Sequence, residues 1–199
     1  MKNKITFKIN LTLIVVFFCL SNYLNAQTYI KVRTGYIKHQ YKALNKTLLD
    51  RDEHDFEKGY MFDIEFGKEL GKGNFTYLIG SRLQYNYQAL KGTYTIHQWN
   101  PSAKISVYAP TLAFTLGIRT KIYKKVSAVF QSDLGIKYTL WYQDNKLRET
   151  FIDEHIPINF SMEYELNNKL NLSAGISIRP PGIYKSQTYK YFFGFIKYL

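Results

Sequence analysis

The last eleven residues, Tyr189 to Leu199, read Tyr-Lys-Tyr-Phe-Phe-Gly-Phe-Ile-Lys-Tyr-Leu. Aromatic and apolar side chains recur at alternate positions, which is the period of a β-strand. A strand in this position has an open edge that promotes aggregation unless another strand covers it. Because a barrel pairs its last strand with its first, the segment predicts a closed β-barrel.

Residues 1–26 have the three regions of a secretory signal peptide. A start with three lysines and no acid is followed by an apolar run from Leu11 to Leu20 and by a more polar tail. The run is shorter than the roughly 20 residues that a membrane-spanning helix needs. We expect cleavage after Ala26, with Ser21 as the alternative position, and a mature barrel domain of residues 27–199.

The chain is basic and rich in aromatic residues. It has 27 Lys and Arg, 15 Asp and Glu, 18 Tyr and 14 Phe. Its formal net charge of +12 falls to +9 without the three lysines of the predicted signal peptide. A basic surface fits nucleic acid or anionic lipid and glycan, and export favours lipid and glycan over nucleic acid. The single cysteine, Cys19, lies in the predicted signal peptide, so we expect no disulfide, and we expect no cofactor.

Alternation at period two predicts eight strands in the mature domain. They span 28–38, 60–70, 75–87, 105–122, 126–142, 151–166, 170–179 and 189–199. One face of each strand is apolar over a length that suits the roughly 9–11 tilted residues of a bilayer-crossing strand. The predicted fold class is therefore all-β, an eight-stranded antiparallel up-and-down transmembrane β-barrel.

The opposite face of each strand is polar, and on seven of the eight strands it also carries a glycine. These glycines are Gly35, Gly67, Gly80, Gly117, Gly135, Gly175 and Gly194. Glycine weakens a strand unless the backbone bends or another group approaches closely, and the narrow interior of a small barrel supplies both conditions. We therefore predict that the polar face lines the lumen. The alternative, a soluble lipocalin-like carrier of an apolar ligand, would crowd the large aromatics inside.

Connection lengths alternate along the predicted strands. Short gaps occur at 71–74, 123–125 and 167–169, and longer ones at 39–59, 88–104, 143–150 and 180–188. Outer-membrane barrels have short periplasmic turns and longer external loops. The pattern thus predicts periplasmic termini and four external loops.

In architecture and in its terminal strand, the chain resembles the small eight-stranded outer-membrane β-barrel proteins of Gram-negative bacteria, the OmpA/OmpX type. The resemblance covers residues 27–199 and implies a location in the cell outer membrane, among outer-membrane lipid and lipopolysaccharide. It also implies that the barrel-assembly machinery recognises the terminal strand. The residues in phase with that pattern are Tyr191, Phe193, Phe195 and Leu199. Lys197 stands where an apolar residue is usual, and the last residue is Leu rather than Phe.

Charged residues on the polar faces fall at comparable heights in the predicted barrel. The set is Arg33, Glu65, Arg82, Arg119, Asp133 and Glu163. Counting from the short turns predicts three pairs, Arg33 with Glu65, Glu65 with Arg82, and Arg119 with Asp133. Such a network is either a structural plug or an ion path, and the small lumen of an eight-stranded barrel favours the plug.

Histidines in the predicted loops suggest an alternative function, that of an outer-leaflet lipid-modifying enzyme. His39, His54 and His97 lie there, with Ser102 nearby in sequence. Such enzymes use Ser, His and carboxylate groups, but the sequence has no Gly-x-Ser-x-Gly motif. We predict that the protein is not an enzyme and that its loops bind an external ligand or protein.

The first predicted loop is acidic, which raises the question of a metal site. Its acids are Asp50, Asp52, Glu53, Asp55 and Glu57. The stretch lacks the glycine and the spacing of a calcium loop. His155, beside Asp153 and Glu154, is predicted to be a rim residue of the sixth strand, and no metal site is predicted.

Overall fold

The computed structural model describes residues 26–41, 58–71, 73–95, 98–179 and 186–199. Nine strand segments run through these residues: β1 Gln27–Tyr41, β2 Lys58–Leu70, β3 Phe75–Thr95, β4 Gln98–Tyr123, β5 Val126–Gln143, β6 Lys146–His155, β7 Ile158–Asn167, β8 Leu170–Arg179 and β9 Ser186–Tyr198. All neighbouring segments pair antiparallel. Within these ranges, no helix is long and apolar enough to cross a membrane.

The nine segments form eight strands of a barrel, because β6 and β7 are two halves of one strand. Both halves pair with β5, and the register continues unchanged from one half to the other, with its one shift farther along, between Trp141 and Tyr142. They are separated by Ile156 and Pro157, and proline has no N–H to donate to the ladder. Pro157 still accepts a hydrogen bond from the backbone N of Asp133 at 3.1 Å. The predicted strand 151–166 is therefore interrupted near its middle.

The barrel closes because β1 pairs with β9 as well as with β2. A path through directly paired residues that leaves β1 at Gln27 returns to it at Ile37, ten residues farther on. With a rise of about 3.3 Å per residue and a strand spacing of about 4.8 Å, this stagger tilts the strands by about 40° from the barrel axis. The predicted eight-stranded antiparallel barrel is confirmed.

Apolar side chains cover the outside of the barrel, and polar side chains line the inside. Phe62, Leu112 and Phe193 are 47%, 61% and 60% exposed, whereas Arg33 and Glu65 are 1% and 0% exposed. A soluble protein places most of its large apolar side chains inside. The faces are thus opposite to those of the soluble carrier that was the alternative.

The glycine at position 80 shows how closely the strands approach one another. A Cβ atom there would lie 2.7 Å from the carbonyl oxygen of Phe66 and 2.9 Å from Thr115 Oγ1. The side-chain position of this residue therefore has no room for a methyl group. A Cβ would also contact a neighbouring strand at Gly35, Gly67, Gly117, Gly135, Gly175 and Gly194.

Strands β3 to β6 continue beyond the others at one end of the barrel. β3 and β4 pair as far as Thr95 and Gln98, whereas β2 begins at Lys58, opposite Ala89 of β3. β5 and β6 continue to Gln143 and Lys146. We call residues 90–95, 98–105, 138–143 and 146–152 the extension. The opposite end, with the turns at 124–125 and 168–169 and the connection between β2 and β3, is called the short-turn end.

The extension corrects two predicted loops. The ranges 88–104 and 143–150 are mostly strand, because the ladders continue through them. β5 and β6 are joined by Asp144 and Asn145, whose φ angles are 49° and 63°. A two-residue type I′ hairpin turn requires positive φ at both positions. The other two predicted loops, 39–59 and 180–188, lie largely outside the described residues.

Candidate functional site

Glu65 is the centre of a hydrogen-bonded cluster inside the barrel. Its carboxylate accepts hydrogen bonds from Tyr29 Oη at 2.6 Å and from Gln131 Nε2 at 2.8 Å. Arg82 donates to the same group from Nη2 at 2.5 Å and from Nε at 3.1 Å. These donors compensate the loss of hydration that a fully buried carboxylate suffers.

Arg82 joins Glu65 on β2 to a second carboxylate, that of Asp133 on β5. Arg82 Nη1 donates to Asp133, and Nη2 also donates to Gln131 Oε1 at 3.1 Å. The planar guanidinium has five N–H donors in a fixed geometry, so it can bind two carboxylates at once. The result is an ionic connection across the barrel from β2 to β5.

Arg33 forms a separate two-point ion pair with Asp63. Arg33 Nε and Nη2 donate to the two carboxylate oxygens of Asp63 at 2.9 and 3.0 Å. The guanidinium carbon also lies 4.3 Å from the ring centroid of Phe192, a cation–π distance. Gln84 extends the group, since it donates to Asp63 at 3.3 Å and accepts from Lys190 Nζ at 2.6 Å.

A third group of charges lies nearer the short-turn end. Glu163 accepts hydrogen bonds from Lys31 Nζ at 3.1 Å and from Arg119 Nε at 2.9 Å, and Arg119 Nη2 also contacts it. Arg119 Nη1 donates to Glu69 at 2.5 Å. Two acids and two bases thus form one hydrogen-bonded group at this end of the interior.

Inside the barrel, the three groups hold as many bases as acids. The bases are Lys31, Arg33, Arg82, Arg119 and Lys190, and the acids are Asp63, Glu65, Glu69, Asp133 and Glu163. Every one of these acids has a basic partner within ion-pair distance. Since removal of one partner leaves the other charge buried, the members of such a network depend on one another.

Two small apolar clusters are buried in the interior beside the charged groups, and the sequence patterns did not reveal them. One consists of Tyr29, Leu78, Val129, Ile196 and Tyr198. The other consists of Ile37, Met61 and Phe192. Their members occupy the same alternate positions of the strands as the polar lumen residues, as Met61 does with Asp63. This spacing is the sequence feature that indicates their inward orientation.

The structure changes two of the three predicted ion pairs. Glu65 and Arg82 do meet, but Arg33 binds Asp63 instead of Glu65. Asp133 binds Arg82, while Arg119 binds Glu69 and Glu163 instead of Asp133. The predictions for Arg33 and for Arg119 with Asp133 are therefore wrong. The predicted pairs rest on the number of residues between each charged residue and its nearest short turn, and this number does not include the stagger between neighbouring strands.

The terminal strand presents one face to the exterior. Tyr191, Phe193, Phe195 and Leu199 are 49%, 60%, 50% and 65% exposed. Lys197 is exposed on the same face. Both edges of β9 are paired, one with β1 and the other with β8.

His155 is not the rim residue that the sequence predicted. It is 2% exposed, faces the interior next to Gly135 of β5, and its Nδ1 has no hydrogen-bond partner among the described residues. Within the described ranges, no group of three or more His, Cys, Asp or Glu residues is arranged to hold a metal ion. The acidic loop 50–57, His54, His97 and residues 1–25 lie outside those ranges, as do the side chains of His39 and Ser102.

Two solved structures have this arrangement of strands. The attachment invasion locus protein Ail of Yersinia pestis superposes with a TM-score of 0.52 at 10% identity, over 87% of this chain and 99% of that one. Neisserial surface protein A superposes with a TM-score of 0.54 at 12% identity, over 85% of this chain and 96% of that one. No protein-family model matches the sequence, and no curated protein sequence matches it significantly. The chain has the fold of the small eight-stranded outer-membrane β-barrels.

Proposed function

We propose that this chain is an integral outer-membrane protein exported by its N-terminal signal peptide. Its short turns lie in the periplasm and its extension lies outside the cell. An apolar exterior around a polar interior supports this location, because such a surface is stable in lipid and aggregates in water. The likeness of the fold to Ail and to Neisserial surface protein A is consistent with it.

We propose that the charge network has a structural role and that the lumen is not an open pore. The single side chain of Arg82 connects Glu65 on β2 to Asp133 on β5 across the interior. Arg33, Asp63 and Glu163 are at most 1% exposed. A hydrated pore needs charged groups that remain accessible to water and ions. Side chains at this density leave little space for either.

The observation that carries the function is the extension. Three apolar side chains of β6, those of Leu147, Phe151 and Ile152, are 51%, 42% and 71% exposed. In the described part of the chain, this portion of β6 pairs with β5 alone. Exposed apolar groups and a strand edge are features of protein-binding surfaces. We therefore propose that the protein is a surface-binding barrel and not an enzyme.

The orientation is tested by labelling with a thiol reagent. Lys146→Cys places a thiol beside the turn at 144–145, and Lys169→Cys places one in the turn at 168–169. Both positions are exposed and lie at opposite ends of the barrel. A membrane-impermeant maleimide added to intact cells is expected to label position 146, and position 169 only after lysis. Heat-modifiable migration on a detergent gel checks that both variants fold. The reverse labelling, or recovery of the protein from the soluble periplasm, would contradict the proposal.

The binding role is tested by adhesion. Cells with the wild-type chain are compared with cells carrying Leu147→Ser, Phe151→Ser and Ile152→Ser together, on immobilised extracellular proteins and on heparin. Heparin is included because the Ail structure contains its analogue sucrose octasulfate. Equal adhesion by both cell types to every surface would contradict a role for the extension. A changed lipid A mass profile in cells lacking the chain would favour the lipid-modifying enzyme instead.

A further inference from the structure

Five exposed lysines surround the short-turn end of the barrel. Lys124 and Lys125 form the turn between β4 and β5, and Lys121 is near the end of β4. Lys169 lies in the turn between β7 and β8, and Lys197 is near the end of β9. None of them forms an ion pair with another residue of the described ranges. We call these five residues the lysine rim.

No exposed acidic side chain balances the lysine rim within the part of the chain that the structure describes. The two acids at this end, Glu69 and Glu165, are both partly buried. Glu69 is already bound to Arg119 and to Thr76, at 2.5 and 2.8 Å. The rim therefore differs from the interior, where acids and bases are equal in number, and it holds much of the chain's excess positive charge.

Exposed apolar side chains alternate with the rim lysines. Phe75 and Tyr123 are each 68% exposed, Leu166 is 41% exposed and Leu199 is 65% exposed. Tyr123 is adjacent to Lys124 in the sequence, and Lys197 shares the outward face of β9 with Phe195 and Leu199. Aromatic and apolar residues mark the edge of the hydrocarbon layer in outer-membrane barrels. Lysines beside them extend their ammonium groups to the level of the lipid headgroups.

We propose that the lysine rim binds the phosphate groups of anionic phospholipids in the periplasmic leaflet. This inference rests on the proposed membrane location and orientation. The five ammonium groups place positive charge at headgroup height. Lys121 and Lys125 share a recess with the partly buried Glu69 and Glu165. Lys124, Lys169 and Lys197 have no carboxylate of the described residues as an ion-pair partner, and lipid phosphate would be their partner. The rim enriches anionic lipid around the barrel and holds it at a fixed depth.

The apolar neighbours favour lipid over the peptidoglycan layer as the partner. A surface that binds the cell wall would face the aqueous periplasm and would not need Tyr123 and Leu199 beside its charges. Lys197 lies on the lipid-facing side of β9, where a wall polymer has no access while the barrel is in the membrane. The cell wall is thus the alternative that the experiment has to separate.

The experiment measures the lipid composition next to the inserted barrel. The full chain is folded into phosphatidylcholine vesicles that contain a trace of spin-labelled phosphatidylglycerol or spin-labelled phosphatidylcholine. The motionally restricted fraction gives the relative association of each lipid with the barrel. Polybasic sites attract anionic lipid strongly, so we expect a preference for phosphatidylglycerol of about tenfold in low salt, which high salt reduces. The variant with all five rim lysines changed to Gln is expected to lose it.

Two variants with equal charge changes provide the control. Lys124→Gln with Lys125→Gln removes two charges from the rim, and Lys146→Gln with Arg148→Gln removes two exposed charges from the extension. The first pair is expected to weaken the preference and the second to leave it unchanged. A preference that survives in the five-lysine variant, or that both pairs reduce equally, overturns the proposal.

Further outcomes separate this inference from the proposed function. A chain that does not insert into vesicles overturns both, whereas a chain that inserts without preferring anionic lipid overturns the rim proposal alone. The cell-wall alternative is tested by co-sedimentation of the detergent-solubilised barrel with purified peptidoglycan. If the wild-type barrel co-sediments, the five-lysine variant does not, and the barrel shows no lipid preference, the rim binds the cell wall and the lipid proposal is overturned. Heat-modifiable migration confirms that each variant is folded.

Discussion

Replacing Glu65 with alanine removes the acceptor on which Tyr29, Arg82 and Gln131 converge. Breaking a buried ion pair by removal of one partner costs about 3–5 kcal/mol, because the other charge remains buried. Arg82 retains Asp133 as a partner after this change. We therefore expect Glu65→Ala to lower the free energy of unfolding by about 3 kcal/mol, at the lower limit of that range.

A second substitution separates charge from volume. Glu65→Gln keeps the size of the side chain and one acceptor oxygen, so it removes the charge without creating a cavity. Hydrogen bonds to charged groups contribute about 1.5–3 kcal/mol, and we expect a loss of about 2 kcal/mol from this variant. If packing alone mattered, Glu65→Gln would have almost no effect.

The measurement is an equilibrium urea titration of the barrel folded in lipid vesicles, followed by tryptophan fluorescence and by gel mobility without boiling. Asp153→Asn is the matched control, because Asp153 pairs with Lys137 at 3.1 Å but its side chain is 41% exposed. Exposed ion pairs contribute at most about 1 kcal/mol. A loss for Glu65→Ala no larger than that of Asp153→Asn would refute the role of the buried network.

Three further predictions concern the interior. Arg33→Met and Asp63→Leu should each lower the free energy of unfolding by about 3 kcal/mol or more, while the double variant loses less than the sum; strict additivity in the same titration would contradict their pairing. Gly80→Ala should lower it by about 1–3 kcal/mol, because its methyl group would overlap the carbonyl oxygen of Phe66, and an unchanged titration would exclude that contact. Planar-bilayer recordings of the purified barrel should show no large stable conductance steps, and regular large openings would be incompatible with an interior filled by side chains.

The strands were most predictable at the short-turn end. The range 170–179 agrees with β8 at both limits, and the start of β3 at residue 75 also agrees. Outside the extension each strand has one apolar and one polar face, so apolar and polar residues alternate visibly in the sequence. In the extension that contrast is weaker, since residues such as Lys91 and Lys104 fall among the aromatics of β3 and β4. The strands there were consequently predicted as loops.

The hairpin turn of the extension is visible in the sequence. Asp144-Asn145 lies between two alternating segments, and both residues tolerate the positive φ angles that a two-residue hairpin needs. The ion pairs were a harder problem, because they depend on three-dimensional stagger. Arg33 directly faces Asp63 in the ladder, and Lys31 faces Glu65, a relation that strand lengths alone do not determine.

The pairing of β1 with β9 has a consequence for how the chain matures. Tyr29 of β1 lies opposite Tyr198 of β9, so β1 receives its second neighbour only from a strand that is made after all the other described strands. Until then the sheet has two unsatisfied edges and a large apolar surface. Joining two strands that have all the other described strands between them in sequence also carries a large loop-closure entropy and slows folding. For the exported protein that we propose, we therefore expect an interval during synthesis in which the open sheet needs another protein to keep it soluble.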